Sequence, residues 1–184
     1  MLAATRLIFF LCLTWAVAGG PARAQSWTSV EQLPAAPVAD NGYVRPQGTA
    51  TDAQGNVYAV GYFYGTVSFG PTTLSTAANE QAADMYVAKL SPAGQWLWAV
   101  QAGGAGADFA FDVVLNAAGE VYIAGGVGPN AALGTFTLNP TYTTGFVAKL
   151  SAAGQFLWAT QAGGSSCVSL RQRHLNRALK GVQE

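Results

Sequence analysis

Val87-Ala-Lys-Leu-Ser-Pro-Ala-Gly-Gln-Trp-Leu-Trp-Ala-Val-Gln-Ala-Gly-Gly104 returns sixty residues later as Val147-Ala-Lys-Leu-Ser-Ala-Ala-Gly-Gln-Phe-Leu-Trp-Ala-Thr-Gln-Ala-Gly-Gly164. A repeat of this period marks stacked supersecondary units, none of which buries its apolar face alone. Upstream, Asp52-Ala-Gln-Gly-Asn-Val-Tyr-Ala-Val-Gly61 corresponds to Asn116-Ala-Ala-Gly-Glu-Val-Tyr-Ile-Ala-Gly125 at an offset of 64. The four-residue difference falls between Leu74 and Val87, and length variation between copies belongs in a surface loop.

Each copy carries the signals of short antiparallel strands. Val57-Tyr-Ala-Val60 and Val121-Tyr-Ile-Ala124 are rich in β-branched and aromatic residues, and each follows a tight turn, Asp52–Asn56 or Asn116–Glu120. Gly55 and Gly119 suit the positive-φ position of such a turn. A second hairpin runs from Tyr86–Leu90 through Ser91–Gly94 to Trp96–Val100, and its copy from Phe146–Leu150 through Ser151–Gly154 to Phe156–Thr160. Two hairpins give four strands per unit. Between them, Thr66–Phe69 and its counterpart Ala131–Leu138 read as an extra edge strand or an ordered excursion of the loop. The expected fold is therefore all-β, with two four-stranded antiparallel propeller-blade repeats of about 60 residues.

The succession Gly-Asn-Val-Tyr-Ala-Val-Gly, Tyr-Val-Ala-Lys-Leu-Ser-Pro-Ala-Gly and Leu-Trp-Ala-Val-Gln-Ala-Gly-Gly resembles the bacterial SBBP-type β-propeller repeat family of secreted and cell-surface proteins. The resemblance covers about residues 45–164. It implies a scaffold without assigned catalytic residues, and an acidic residue just before the Val-Ala-Lys-Leu strand. Asp84 fits that pattern and Thr144 departs from it. Closed propellers use about four to eight blades. Two repeats therefore imply a fragment of a larger β-propeller, or self-assembly of several chains into one ring.

The ends differ from the repeats. Residues 1–24 read as an export signal, with Arg6, an apolar run from Leu7 to Ala18, and Ala22-Arg-Ala24 as the cleavage site. That run is too short to span a bilayer, so no transmembrane span is expected after cleavage. The expected destination is extracellular or the cell surface, with the periplasm as the alternative. Residues 25–44 form an N-terminal extended segment, 45–104 the first repeat, 105–164 the second and 165–184 a basic tail. Cys167 is then the sole mature cysteine, which leaves no internal disulfide. Arg171, Arg173, Arg177 and Lys180 crowd into the tail, which reads either as a short basic amphipathic helix or, preferably, as sequence unrelated to the repeats.

From residue 25 to 164 three basic residues, Arg45, Lys89 and Lys149, stand against eight acidic ones, a balance that argues against nucleic-acid binding. His174, the only histidine, lies in the tail, so the repeats carry no Ser-His-Asp or Cys-His arrangement. Gly103–Gly106 lacks the following Lys-Ser/Thr of a phosphate loop. Asp108 and Asp112 are the best acidic pair: they read as a solvated turn, or else as shared calcium ligands or paired carboxylates. Asp52 and Asn116 suit turn positions through side-chain bonds to the backbone two residues on, and Lys89 and Lys149 suit solvent-facing strand positions. Trp96, Trp98, Phe156 and Trp158 suit the packing of one blade on the next. Tyr62, Phe63 and Tyr64 occur in the first copy only and suit stacking on a sugar or peptide. The expected function is a non-enzymatic exported module, truncated from a longer array, with a structural, adhesive or extracellular protein- or glycan-binding role and no cofactor. The alternative is a glycan-active hydrolase or lyase using Asp108 and Asp112.

Overall fold

The computed structural model describes residues 42–76 and 82–162. The signal (1–24), most of the N-terminal segment and the basic tail (165–184), with Cys167 and His174, lie outside the described residues.

The first repeat contains β1 (Tyr43–Thr51), β2 (Val57–Tyr64), β3 (Thr66–Phe69), β4 (Thr72–Ser75), β5 (Asp84–Leu90) and β6 (Trp96–Ala102). The second contains β7 (Phe109–Leu115), β8 (Val121–Val127), β9 (Ala131–Leu133), β10 (Phe136–Leu138), β11 (Thr144–Leu150) and β12 (Phe156–Ala162). No described residue is helical. Each repeat is an antiparallel four-stranded sheet, β1-β2-β5-β6 and β7-β8-β11-β12, with a two-stranded hairpin inserted between its second and third strands. The run left open as edge strand or excursion is thus a hairpin in both copies, β3-β4 and β9-β10.

The sequence offset is reproduced down to single irregularities. The register slips between Pro46 and Gly48 in β1 and between Ala110 and Asp112 in β7, which makes Gln47 and Phe111 equivalent bulge residues 64 positions apart. It slips again where β5 meets β6 and where β11 meets β12, leaving Leu97 and Leu157 as the extra residues. Both leucines are exposed, as expected where a bulge turns a side chain away from the pleat. Opposite the first kind of bulge stands a glycine. A Cβ at Gly61 would fall on the Arg45 carbonyl oxygen, and one at Gly125 on the Phe109 carbonyl oxygen.

The tight turns form at Asp52–Asn56 and Asn116–Glu120, as their residues predict. Asp52 Oδ1 accepts from the Gln54 and Asn56 amides, and Asn116 Oδ1 from those of Ala118 and Glu120. Gly55 and Gly119 take φ of 80° and 76°. The lysines are not the solvent-facing residues expected. Lys89 Nζ lies 3.4 Å from Asp52 and 4.7 Å from the centroid of the Tyr58 ring. Lys149 Nζ lies 2.8 Å from Glu120 and 5.4 Å from that of Tyr122. Strand pairing explains this: Tyr58 stands opposite Lys89 and Tyr122 opposite Lys149, so each ammonium lies against a ring and reaches the turn beyond it.

The two sheets pack face against face. Tyr58, Val60, Met85, Val87 and Ala102 of the first share one core with Ile123, Val127, Phe146, Ala148 and Leu150 of the second. Ala131, Leu133 and Leu138 of the second hairpin join that core. On the far side of the first sheet, Ala59, Phe63, Tyr86, Ala88 and Ala99 pack with Val67, Phe69 and Leu74 of β3-β4. Trp98 fulfils its expected role between units. Its Nε1 donates to the Ala152 carbonyl at 3.3 Å, and its ring covers Gly154, where an added Cβ would meet Cε3 at 3.0 Å. Trp96 instead stays within its own unit, edge-on to Phe69 at 5.0 Å.

Candidate functional site

Strands β1, β5 and β7 begin, and β2, β6 and β8 end, at one end of the two sheets, and Tyr62, Phe63, Tyr64 and Asp108 gather there while Asp112 lies further along β7. Alternation then sorts them by face. Phe63 is fully buried in the far-side core of the first sheet, with Val67 and Tyr86, and presents no surface to a ligand. Tyr62 and Tyr64 point the other way and stay half-buried, with ring centroids 6.0 Å apart at 86°.

Pairing of β1 with β2 extends this pair into a platform. Tyr43 stands opposite Tyr64 and Arg45 opposite Tyr62. The Tyr43 and Tyr64 rings lie 6.2 Å apart, and the Arg45 guanidinium reaches the Tyr62 hydroxyl at 3.4 Å. From the second sheet Phe109 meets Tyr62 edge to face at 4.8 Å, and Phe111 stacks on Phe109 at 5.9 Å and 11°. Five rings from three strands and one guanidinium thus form a continuous surface. Tyr43 is 50% exposed, and Arg45 beside it is exposed as well, its guanidinium ionised as arginine always is.

The equivalents of Tyr43, Arg45, Tyr62 and Tyr64 in the second repeat are Ala107, Phe109, Gly126 and Gly128. Positions that the fold needs recur, as the bulges and paired glycines do. The platform does not recur, so the sheet architecture alone does not call for it. Sequence reasoning found Tyr62 and Tyr64 but missed Tyr43, Arg45, Phe109 and Phe111. The alternation of Tyr43 with Arg45 was the available signal, but it points to Tyr64 and Tyr62 only once the register is known.

The acidic residues arrange differently from the expected pair. Asp108 is fully buried in the loop between β6 and β7. Its Oδ1 accepts from the Gly128 amide and its Oδ2 from the Gly104 amide, both at 2.8 Å, while its own amide donates to the Ala83 carbonyl. It therefore ties the connection between the repeats to the ends of β5 and β8, and is no solvated turn residue. Its carboxyl neighbour is Asp84, not Asp112. Asp84 and Asp108 converge on Gly103, where an added Cβ would fall on Asp84 Oδ1 and lie 3.0 Å from Asp108 Oδ2. Burial, and then the charge of Asp108, push the Asp84 carboxyl up to about 6. Burial raises Asp108 as well, against the pull of its two backbone bonds.

Asp112 lies four residues on, roughly 13 Å along an extended strand. It sits past the β7 bulge, where an added Cβ on Gly48 would lie 3.2 Å from the Asp112 Cα. Its Oδ1 accepts from the Val113 amide, its Oδ2 is buried without a partner, and burial raises its pKa. Among the described residues no three His, Cys, Asp or Glu side chains come together in a way that could hold a metal ion.

A groove of about 470 Å³ crosses the seam between the sheets, lined by Val100, Gln101, Gly134, Gln155 and Phe156. One of its polar side chains is already engaged, since Gln101 bonds to the Ser75 backbone through both ends of its amide. The aromatic platform is the better candidate. No protein-family model matches the chain, and no curated protein matches it.

Proposed function

We propose that this chain is an exported, non-enzymatic module of β-propeller type, two blades of a larger array, and that its aromatic end binds an extracellular glycan or protein. The observation that carries this reading is the Tyr43, Tyr62, Tyr64 and Phe109 platform with Arg45 beside it. Aromatic faces flanked by hydroxyls and one cation suit a ligand with both apolar and polar edges. Of the two partners, a glycan fits better, because pyranose rings offer C–H faces to the tyrosines and hydroxyls to their phenols.

The blade reading is supported by the repeated sheets, their shared bulges and their face-to-face packing, which is how radial repeats bury their cores. The non-enzymatic reading is supported by the bonding of Asp108, whose two oxygens are each taken by a backbone amide. Export is supported by the pattern of residues 1–24.

The test is retention of the full chain on immobilised glycans and extracellular proteins, compared with a Tyr43→Ala, Tyr64→Ala double variant of unchanged circular dichroism. The expected result is retention that the double variant loses. Turnover of a glycan, abolished by Asp108→Asn, would overturn the proposal.

A further inference from the structure

The charge on the platform goes beyond its shape. The repeats are acidic as a whole, yet among the described residues the acids at this end, Asp84 and Asp108, are buried, as is Asp112 further along β7. The cation is turned outward. Arg45 is exposed on the edge strand β1 and donates from one nitrogen, Nη1, to the Tyr62 hydroxyl over a long 3.4 Å contact. A guanidinium has five N–H donors in a planar fork, so most of its donor capacity faces solvent beside the rings.

The two other cations of the described residues are engaged elsewhere. Lys89 is paired with Asp52 and Lys149 with Glu120, each over a tyrosine ring at a turn. Among the described residues Arg45 faces no carboxylate: its neighbours across and along the sheet are Tyr43 and Tyr62. An exposed fork with aromatic planes on one side and no counter-charge among the described residues is complementary to a ligand that carries a carboxylate next to an apolar ring face.

We infer that the platform selects an acidic saccharide, with its carboxylate on the Arg45 guanidinium and its sugar faces on Tyr43 and Tyr64. This inference rests on the glycan-binding reading proposed above and adds the ligand's charge to it. Tyrosine supplies affinity for sugars of either kind, and Arg45 supplies the preference. Because the contact is exposed, the preference weakens with salt while the stacking contribution persists.

The experiment is a binding panel of matched acidic and neutral oligosaccharides, such as galacturonic acid trimers against galactose trimers. The full chain is compared with Arg45→Gln and with Tyr43→Ala. The expected result is acidic ligands held about tenfold more tightly or better, the scale of a lost hydrogen bond to a charged group. Arg45→Gln then erases that preference and Tyr43→Ala weakens both classes. Equal binding of the two classes, or a preference that survives Arg45→Gln, overturns this inference and leaves glycan binding standing. Retention of no member of the panel overturns this inference together with the glycan reading.

Discussion

Asp84 and Asp108 turn their carboxyl groups toward the same glycine, Gly103, and that glycine lacks the side chain that would separate them. Two buried carboxyls so placed do not both ionise without cost. Asp84 keeps its proton up to about pH 6 in the folded chain, against an ordinary value of 3.8. Between those two values the folded state binds more protons than the unfolded state. The Asp84 contribution to stability is therefore greatest below about pH 4, falls as pH rises, and is gone above about pH 6. Asp52 and Glu120 are held below their ordinary values and act in the opposite sense at lower pH, so the difference between variant and parent is the useful quantity. Urea midpoints measured from about pH 4 to pH 7 should decline in the parent relative to Asp84→Asn. Parallel curves would refute the assignment.

Trp98 joins the two units through one hydrogen bond and one packed face. Trp98→Phe keeps most of the packing and loses the bond to Ala152, for about 0.5–1 kcal/mol. Trp98→Ala loses both, including the edge contact with Tyr58 at 5.9 Å, for about 2–4 kcal/mol. Denaturation of both variants checks the order. Equal losses would mean that packing contributes nothing at this junction.

The two turns that receive the lysines carry one acid and one amide each, in exchanged positions. Asp52 with Asn56 in the first becomes Asn116 with Glu120 in the second, and in both the carboxylate receives the lysine while the two side chains bond to each other. Asp52→Asn should therefore destabilise the first unit by removing the carboxylate from Lys89. Adding Asn56→Glu rebuilds the second turn's arrangement and should recover the loss. Thermal midpoints of the single and double variants decide it, and absence of recovery would show that the two turns are not interchangeable.

Gly125 faces the Phe109 carbonyl so closely that no side chain fits without moving backbone. Gly125→Ala should open the β7–β8 ladder at its bulge and cost about 1–3 kcal/mol, the range of overpacking in a core. Gly119→Ala, where an added Cβ meets only Ala152 Cβ at an ordinary 3.7 Å but φ is 76°, should cost about 1 kcal/mol by backbone strain alone. Amide exchange across β7 and β8 distinguishes the two, because only the first should speed exchange along the strands.

Much of the architecture was legible in the chain itself. Period, strand composition and turn residues are local properties, so the all-β class, four strands per sheet and the turn roles of Asp52, Gly55, Asn116 and Gly119 followed from them. The environment of the lysines is not legible in this way, because alternation tells which face a residue occupies and says nothing of what stands across the ladder. Phe63 was grouped with its neighbours for a related reason: adjacency in sequence is opposition in a strand.

What the sequence determined by itself is the repeat and the strands within it, since these depend on interactions between residues close along the chain. Only the tertiary structure decided which distant residues meet. It brought Asp84 to Asp108 and left Asp112 apart, carried Tyr43 and Arg45 onto the face of Tyr62 and Tyr64, and set Phe109 against them from the other sheet. Those meetings depend on register and on the packing of one sheet against another, which are properties of many residues at once and leave no short pattern to read.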